Sequence, residues 1–253
     1  MRRQLPVLAL VCATLAGLAT AAFAVQYTDP FDGPDYADFW TFRTPGDNDR
    51  YAFEDGWFVF DIDAGQDTYI RGVDGGPFLL MDPPDDDASF TIETRVNAVL
   101  DQTVQPNASH TGLIFFNEVD WSYSCWGPYN NADIRLEDVI DADYRWRAET
   151  LIGVDPPGGI VDGIYLKVEK TGDELEFFWK LAEGDNWESA GVDDKLGPQY
   201  RLGNYQIGLF IKNWGGSIPT RAAFDYFHSP EILGLSVDPN GKAATQWGAL
   251  KSR

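Results

Sequence analysis

Along much of the chain apolar and polar residues alternate one by one, the two-residue period of a strand with one buried face. "WFVFDID" (57–63), "SFTIETRVNAVL" (89–100), "TGLIFFNEV" (111–119), "GIYLKVEKTG" (163–172), "ELEFFWKLAE" (174–183), "YQIGLFIKN" (205–213) and "RAAFDYFHSP" (221–230) all carry it, bounded by Gly, Pro, Asn and Asp. "TGDE" between Lys170 and Leu175 predicts a tight hairpin turn, and "EGDNW" (183–187) predicts another. Helical periodicity is scarce and no internal repeat stands out. Strands joined by short turns, with no interleaved helices, predict an all-β antiparallel sandwich. In the last strand, strict alternation puts Ala222, Phe224, Tyr226 and His228 on one face and Ala223, Asp225 and Phe227 on the other. Asp225 then sits between two aromatic residues, where it either faces water or holds a ligand.

The first segment reads differently. "MRRQLPVLALVCATLAGLATAAFA" joins two arginines to an apolar run and ends in Ala22-Phe23-Ala24, the pattern of a secretory signal peptide cut after Ala24. The expected organisation is a signal peptide over 1–24, one β-sandwich domain over 25–230 and a less aromatic extension over 231–253. Cleavage predicts a secreted or cell-envelope protein, with no later segment long and apolar enough to cross a membrane as a helix.

Composition narrows the partners. Loss of Arg2 and Arg3 takes the basic side chains from 19 to 17 against 40 acidic ones, a formal charge of −23. Nucleic acid and anionic membranes are poor partners for such a surface, whereas loop carboxylates favour calcium. Cys125 is the only cysteine after Ala24, so no intramolecular disulfide can staple the domain. A large core must replace it, and 36 aromatic residues (9 Trp, 11 Tyr, 16 Phe) supply the apolar area.

The acidic stretches "DPPDDDA" (82–88), "DVIDADY" (138–144) and "GVDPPGG" (153–159) read as solvated connectors. "DIDAGQD" (61–67) begins like a calcium loop, but the position of the bidentate glutamate is occupied by Gly72. The only histidines, His110 and His228, lack the spacing of a zinc site, and no G-x-S-x-G elbow is present. His110 reads as a strand-end residue.

A binding surface is the stronger candidate. In "DWSYSCWGPYNN" (120–131), Trp121 and Tyr123 share one face, Ser124 and Trp126 the other, and Tyr129, Asn130 and Asn131 follow a Gly-Pro turn. Flat rings cover the C–H faces of a sugar while amides and carboxylates bond its hydroxyls. Arg71, Trp146, Arg147 and Trp214 are further candidates for the same surface.

Six segments, in order, extend this reading. "DPFDGPDYADFW" (29–40), "EDGWFVFDI" (54–62), "DDDASFTIETRV" (85–96), "HTGLIFFNEVDWSY" (110–123), "YLKVEKTGDELEFFWKLAEGDNWESAG" (165–191) and "YQIGLFIKN…AAFDYF" together resemble the concanavalin A-like lectin/glucanase superfamily. They are most similar to the laminin G-like and xylosidase-appended modules of secreted bacterial proteins. The resemblance implies a jelly roll of two antiparallel sheets with a structural calcium. That ion would be held by Asp225 and by carbonyls at Asp29 or Pro30 and at Gly56. Family 16 glycosidases of this fold carry E-x-D-x-E on one strand; here "EVDWS" keeps Glu118 and Asp120 but has Ser122 in the last place. Retaining hydrolysis needs both carboxylates, one to attack and one to protonate the leaving group. The expected function is therefore an exported, non-catalytic module that binds a polysaccharide or glycan. A glycoside hydrolase or polysaccharide lyase on the same fold, and an extracellular scaffold, are the alternatives.

Overall fold

The computed structural model describes residues 27–44, 50–63, 68, 76–82, 89–100, 108–129, 133–140, 143–151, 163–172, 174–193, 205–214 and 219–229. Its described residues form two antiparallel sheets and no helix. The eight-stranded sheet runs in the order β13 (Glu188–Asp193), β12 (Glu174–Lys180), β11 (Ile164–Thr171), β6 (Phe90–Leu100), β15 (Thr220–Ser229), β4 (Trp57–Ile62) and β3 (Arg50–Glu54). Strand β1 (Tyr27–Asp29) joins it by pairing with the end of β15. The seven-stranded sheet runs β10 (Asp143–Leu151), β9 (Asp133–Ile140), β8 (Tyr123–Tyr129), β7 (Ala108–Phe116), β14 (Gln206–Trp214), β5 (Phe78–Met81) and β2 (Thr41–Arg43).

Every segment whose alternation was clear is a strand. Strand β11 alternates buried and half-buried residues along nearly its whole length, and β12 continues the pattern after the Gly172 turn. The "DG" before Trp57 closes the β3–β4 hairpin: Asp55 and Gly56 take φ of 51° and 84°, and Glu54 pairs with Trp57. Two successive positive-φ residues are what a two-residue turn between right-twisted strands requires.

The acidic "DVIDADY" (138–144) is a correction. Its residues 138–140 end β9 and 143–144 start β10, and the two strands pair through Ile140 and Asp143. Cross-strand pairing and burial on the sheet override the low strand preference of aspartate there. Likewise Gly127-Pro128 is no turn, because β8 runs straight through it.

Between the sheets lies one aromatic-rich core. Phe58, Phe60, Ile92, Val96, Leu166, Val168 and Phe177 come from the eight-stranded sheet, and Leu79, Leu113, Phe115, Trp126, Leu209 and Ile211 from the other. Trp126 ties the layers directly: its indole packs on Phe177 with centroids 5.7 Å apart and donates a 3.1 Å hydrogen bond to the Phe178 carbonyl. Next to the first strand, the buried Asp29 carboxylate accepts N–H bonds from Phe31 (3.0 Å), Ala37 (2.7 Å) and the Trp40 indole (3.0 Å). That clasp holds Phe31 at φ 52°, a costly conformation for a bulky residue, and seats its ring in the core.

The two outer faces differ. Along β11, β12 and the first half of β15 the outward residues are half-buried, whereas all seven residues of β8 are buried. Outward-facing Phe78, Leu80, Ile114, Phe116, Tyr123, Cys125 and Phe210 form a second buried cluster on the seven-stranded sheet.

Candidate functional site

The last strand breaks the expected alternation. Against β6, its register shifts between Phe224 and Tyr226, so Asp225 is the extra residue of a β-bulge. Phe227 therefore turns into the core with Ala222 and Phe224, while Asp225, Tyr226 and His228 all lie on the half-buried side. Asp225 neither lies idle in water nor stands alone: its Oδ2 accepts a 3.2 Å bond from Arg95 Nη1.

Arg95 is the centre of a band across this face. Its guanidinium lies over the Trp57 ring at 5.1 Å and the Tyr165 ring at 5.4 Å. Lys180 lies over Tyr165 at 4.9 Å and over Trp187 at 4.7 Å. Lys167 lies over Trp187 at 4.9 Å and over Phe178 at 4.2 Å, and bonds Glu169 at 2.5 Å. Below Arg95, Tyr226 donates a 2.5 Å bond to Glu93. Burial, followed by that carboxylate, pushes the Tyr226 phenol up; burial first, opposed by Arg95, leaves Tyr165 raised as well. Register builds the row: Tyr165 pairs with both Lys180 and Arg95, and Arg95 pairs with Tyr226. Trp57, Tyr165 and Trp187 are all half-buried, so rings, cations and carboxylates share one accessible surface.

The residues anticipated for glycan binding are divided by the fold. Trp126 is fully buried in the core and is not a ligand-binding ring. Tyr123 and Tyr129 point to the other side of β8 and are also buried. Trp121 is half-buried in the β7–β8 turn at φ 63°, where Arg43 covers its ring at 4.8 Å. Asn130, Asn131 and Arg71, and the side chains of Trp146, Arg147 and Trp214, lie outside the described residues. Glu118 is exposed in the same turn and pairs with Arg43 at 2.9 Å. Ser122 donates a 2.6 Å bond to Asp120 and shares a 2.7 Å bond with Tyr205, so this segment is a tightly bonded turn end.

The calcium set implied by the resemblance combines the Asp225 carboxylate with carbonyls at Asp29 or Pro30 and at Gly56. Calcium needs a cage of six to eight oxygens. In this structure Arg95 bonds one oxygen of Asp225, and the Asp29 carboxylate, as distinct from its carbonyl, accepts three N–H donors.

A polar row crosses the buried outer face of the other sheet. Lys212 and His110 are opposite each other on β14 and β7, and Cys125 and Glu137 are opposite on β8 and β9. Glu137 Oε1 accepts from Lys212 and from the Tyr123 hydroxyl, the latter at 2.6 Å, and Lys212 also reaches that hydroxyl at 3.2 Å. Burial pulls Lys212 down to about 8, holds His110 well below its usual range with Lys212 adding to the effect, and pushes the Cys125 thiol up to about 12. Two glycines bring the middle strands together beside the row. A Cβ on Gly112 would lie 2.2 Å from the Trp126 carbonyl, and one on Gly127 would lie 1.9 Å from that of Thr111.

No family model matches the chain, and no curated protein matches it in sequence. Solved structures do match in shape. The catalytic domain of an endo-1,3-β-glucanase (laminarinase) from Thermotoga petrophila superposes with a TM-score of 0.57 at 13% identity, over 81% of this chain and 96% of its own. The fold is a concanavalin A-like jelly roll. The same jelly roll superposes on part of a GH43 protein, a BlXynB variant, from Bacillus licheniformis, with a TM-score of 0.61 at 14% identity. It spans 82% of this chain but only 39% of that one. The CBM2 module of the evolved Dit protein of Lactobacillus casei phage J-1 matches with a TM-score of 0.53 at 10% identity, over 83% and 96% of the two chains. At such identities the likeness carries the jelly roll and no residue roles.

The band around Arg95 went unnoticed in the sequence, although a signal existed. Tyr165 shares its parity with Lys167 and Glu169, so an aromatic residue occupies the polar phase of the strand. Trp57 does the same opposite the core residues Phe58 and Phe60.

Proposed function

We propose that this chain is a carbohydrate-binding jelly roll that holds a polysaccharide on the outer face of its eight-stranded sheet. The observation that carries this reading is the continuous, accessible band of Trp57, Arg95, Tyr165, Lys180 and Trp187. Spread rings offer flat apolar faces to successive sugars, and Arg95, Lys180, Asp225 and Glu93 offer donors and acceptors to hydroxyls between them. Binding without cleavage is the consistent activity, because Glu118 pairs with Arg43 and Ser122 stands where a second carboxylate would be needed. Export is part of the proposal and rests on the residues 1–24 alone. Among the described residues no helix is long and apolar enough to cross a membrane.

Depletion onto insoluble β-glucans and xylans, with a soluble glycan array, tests the reading. Trp57→Ala and Trp187→Ala each weaken retention roughly three- to tenfold, the loss of about 0.5–1.5 kcal/mol of ring contact. Their far-ultraviolet spectra and melts stay close to wild type. Retention unaffected by the double substitution, or absent from every glycan in the wild type, overturns the proposal.

A further inference from the structure

The buried row on the seven-stranded sheet has an arrangement that a lysine–glutamate pair does not require. His110, Cys125 and Glu137 each offer one ligand atom, and those atoms all lie within 4.8 Å of one another. Cys125 Sγ is 3.5 Å from His110 Nδ1, and that nitrogen is 3.6 Å from Glu137 Oε2. A tetrahedral zinc with bonds of about 2.3 Å to sulfur and about 2.0–2.1 Å to nitrogen has a sulfur-to-nitrogen edge of about 3.5 Å. The nitrogen-to-oxygen edge comes to about 3.4 Å on the same bond lengths. Two of the three edges thus stand near coordination separation, and the whole set closes within 4.8 Å.

We propose that His110 Nδ1, Cys125 Sγ and Glu137 Oε2 bind a zinc-class divalent ion. The donor chemistry excludes calcium and magnesium, which take oxygen ligands, and suits zinc or cobalt. The thiolate formed at Cys125 and the Glu137 carboxylate supply two negative charges, set against the ion and the Lys212 ammonium that shares Glu137. Lys212 and Tyr123 are bonded to Glu137 Oε1, and Oε2 lies 3.6 Å from His110 Nδ1. They orient the ligating carboxylate as outer partners do in metal sites. Three protein ligands leave a fourth position for water. The three residues are contributed by neighbouring strands β7, β8 and β9, whose close approach at Gly112 and Gly127 sets their spacing. Because all three are buried, loading takes place during folding or through a local opening.

The test uses the full chain freed of metal by chelator, titrated with cobalt both when folded and during refolding. One equivalent of cobalt should give the visible bands of a tetrahedral site together with a near-ultraviolet thiolate-to-cobalt band, and zinc should abolish both. Cys125→Ser removes the thiolate band, whereas Cys12→Ser, at the only other cysteine, leaves it. Glu137→Gln keeps the thiolate band and weakens retention of the ion at least tenfold. A wild-type chain that takes up no stoichiometric cobalt or zinc by either route overturns the proposal without any variant. So does a cobalt spectrum unchanged by Cys125→Ser.

Discussion

Arg95 and Asp225 meet at 3.2 Å across the pairing of β6 with β15, where β15 carries its extra residue. The bulge turns the carboxylate to the guanidinium, and Trp57 and Tyr165 flank that guanidinium. A built-in cation therefore stands where the resemblance to calcium-bearing relatives asked for an ion.

The consequence is measurable. Thermal melts of the wild type with and without added millimolar calcium coincide. Because the pair is partly exposed, Asp225→Asn lowers Tm by no more than about 3 °C, in line with about 0–1 kcal/mol. Arg95→Gln frees the carboxylate, and only that variant gains stability from calcium. A wild-type melt that rises with calcium and loses the rise in Asp225→Asn contradicts the assignment.

Trp126 is a strut between the sheets. Trp126→Ala destabilises the domain by about 3–5 kcal/mol through cavity formation and loss of the bond to the Phe178 carbonyl. Urea unfolding monitored by circular dichroism should show the loss. Trp126→Phe recovers most of the packing but not the bond. A stable Trp126→Ala with weakened glycan retention would return this ring to the binding surface.

Asp29 stabilises the chain entry through three donors at once. Asp29→Ala leaves two backbone N–H groups and the Trp40 indole without their acceptor and costs about 3 kcal/mol. For a domain of this size that is a fall in Tm of about 6–12 °C. Calorimetry decides it, and a shift below 2 °C on this rough scale counts against the clasp.

Buried phenols predict alkaline instability. Burial, with the charge of Asp82 adding to it, pushes Tyr27 from its ordinary 10.0 to about 12. Burial also raises Tyr205 and Tyr226. A raised folded pKa means that the native state holds protons the unfolded state has released, so stability is intact below the unfolded value and falls as pH climbs through the folded one. Stability should decline from about pH 10 toward pH 12, with phenolate absorbance from these residues rising together with the loss of circular dichroism. Full tyrosine titration near pH 10 in a still-folded chain contradicts it.

Much of the fold was legible because alternation is a local signal. Strands β4, β6, β7, β11, β12, β14 and β15 each show it over several residues. β8 did not, since burial on both faces removes the polar phase, and its glycine and proline imitate a turn. The bulge at Asp225 was equally hidden: one added residue reverses the parity of everything after it, and only pairing with β6 reveals it. His110, Cys125 and Glu137 lie 15 and 12 residues apart on separate strands, without the short paired spacings of a linear zinc motif. Their convergence is a property of the register.

Both sheets have an interior strand near the end of the described chain. β14 lies between β7 and β5, and β15 lies between β6 and β4 while also pairing with β1, whose Thr28 bonds His228 two hundred positions later. Synthesis therefore delivers the borders before the centre. A nascent chain stopped short of residue 205 exposes the edges of β4, β5, β6 and β7 with nothing to place between them, and such edges recruit other chains. Folding must wait for β14 and β15, and its long-range closure makes it slow. For this protein, the hours or seconds that matter to a holding chaperone are those between the emergence of β4 and the arrival of β15.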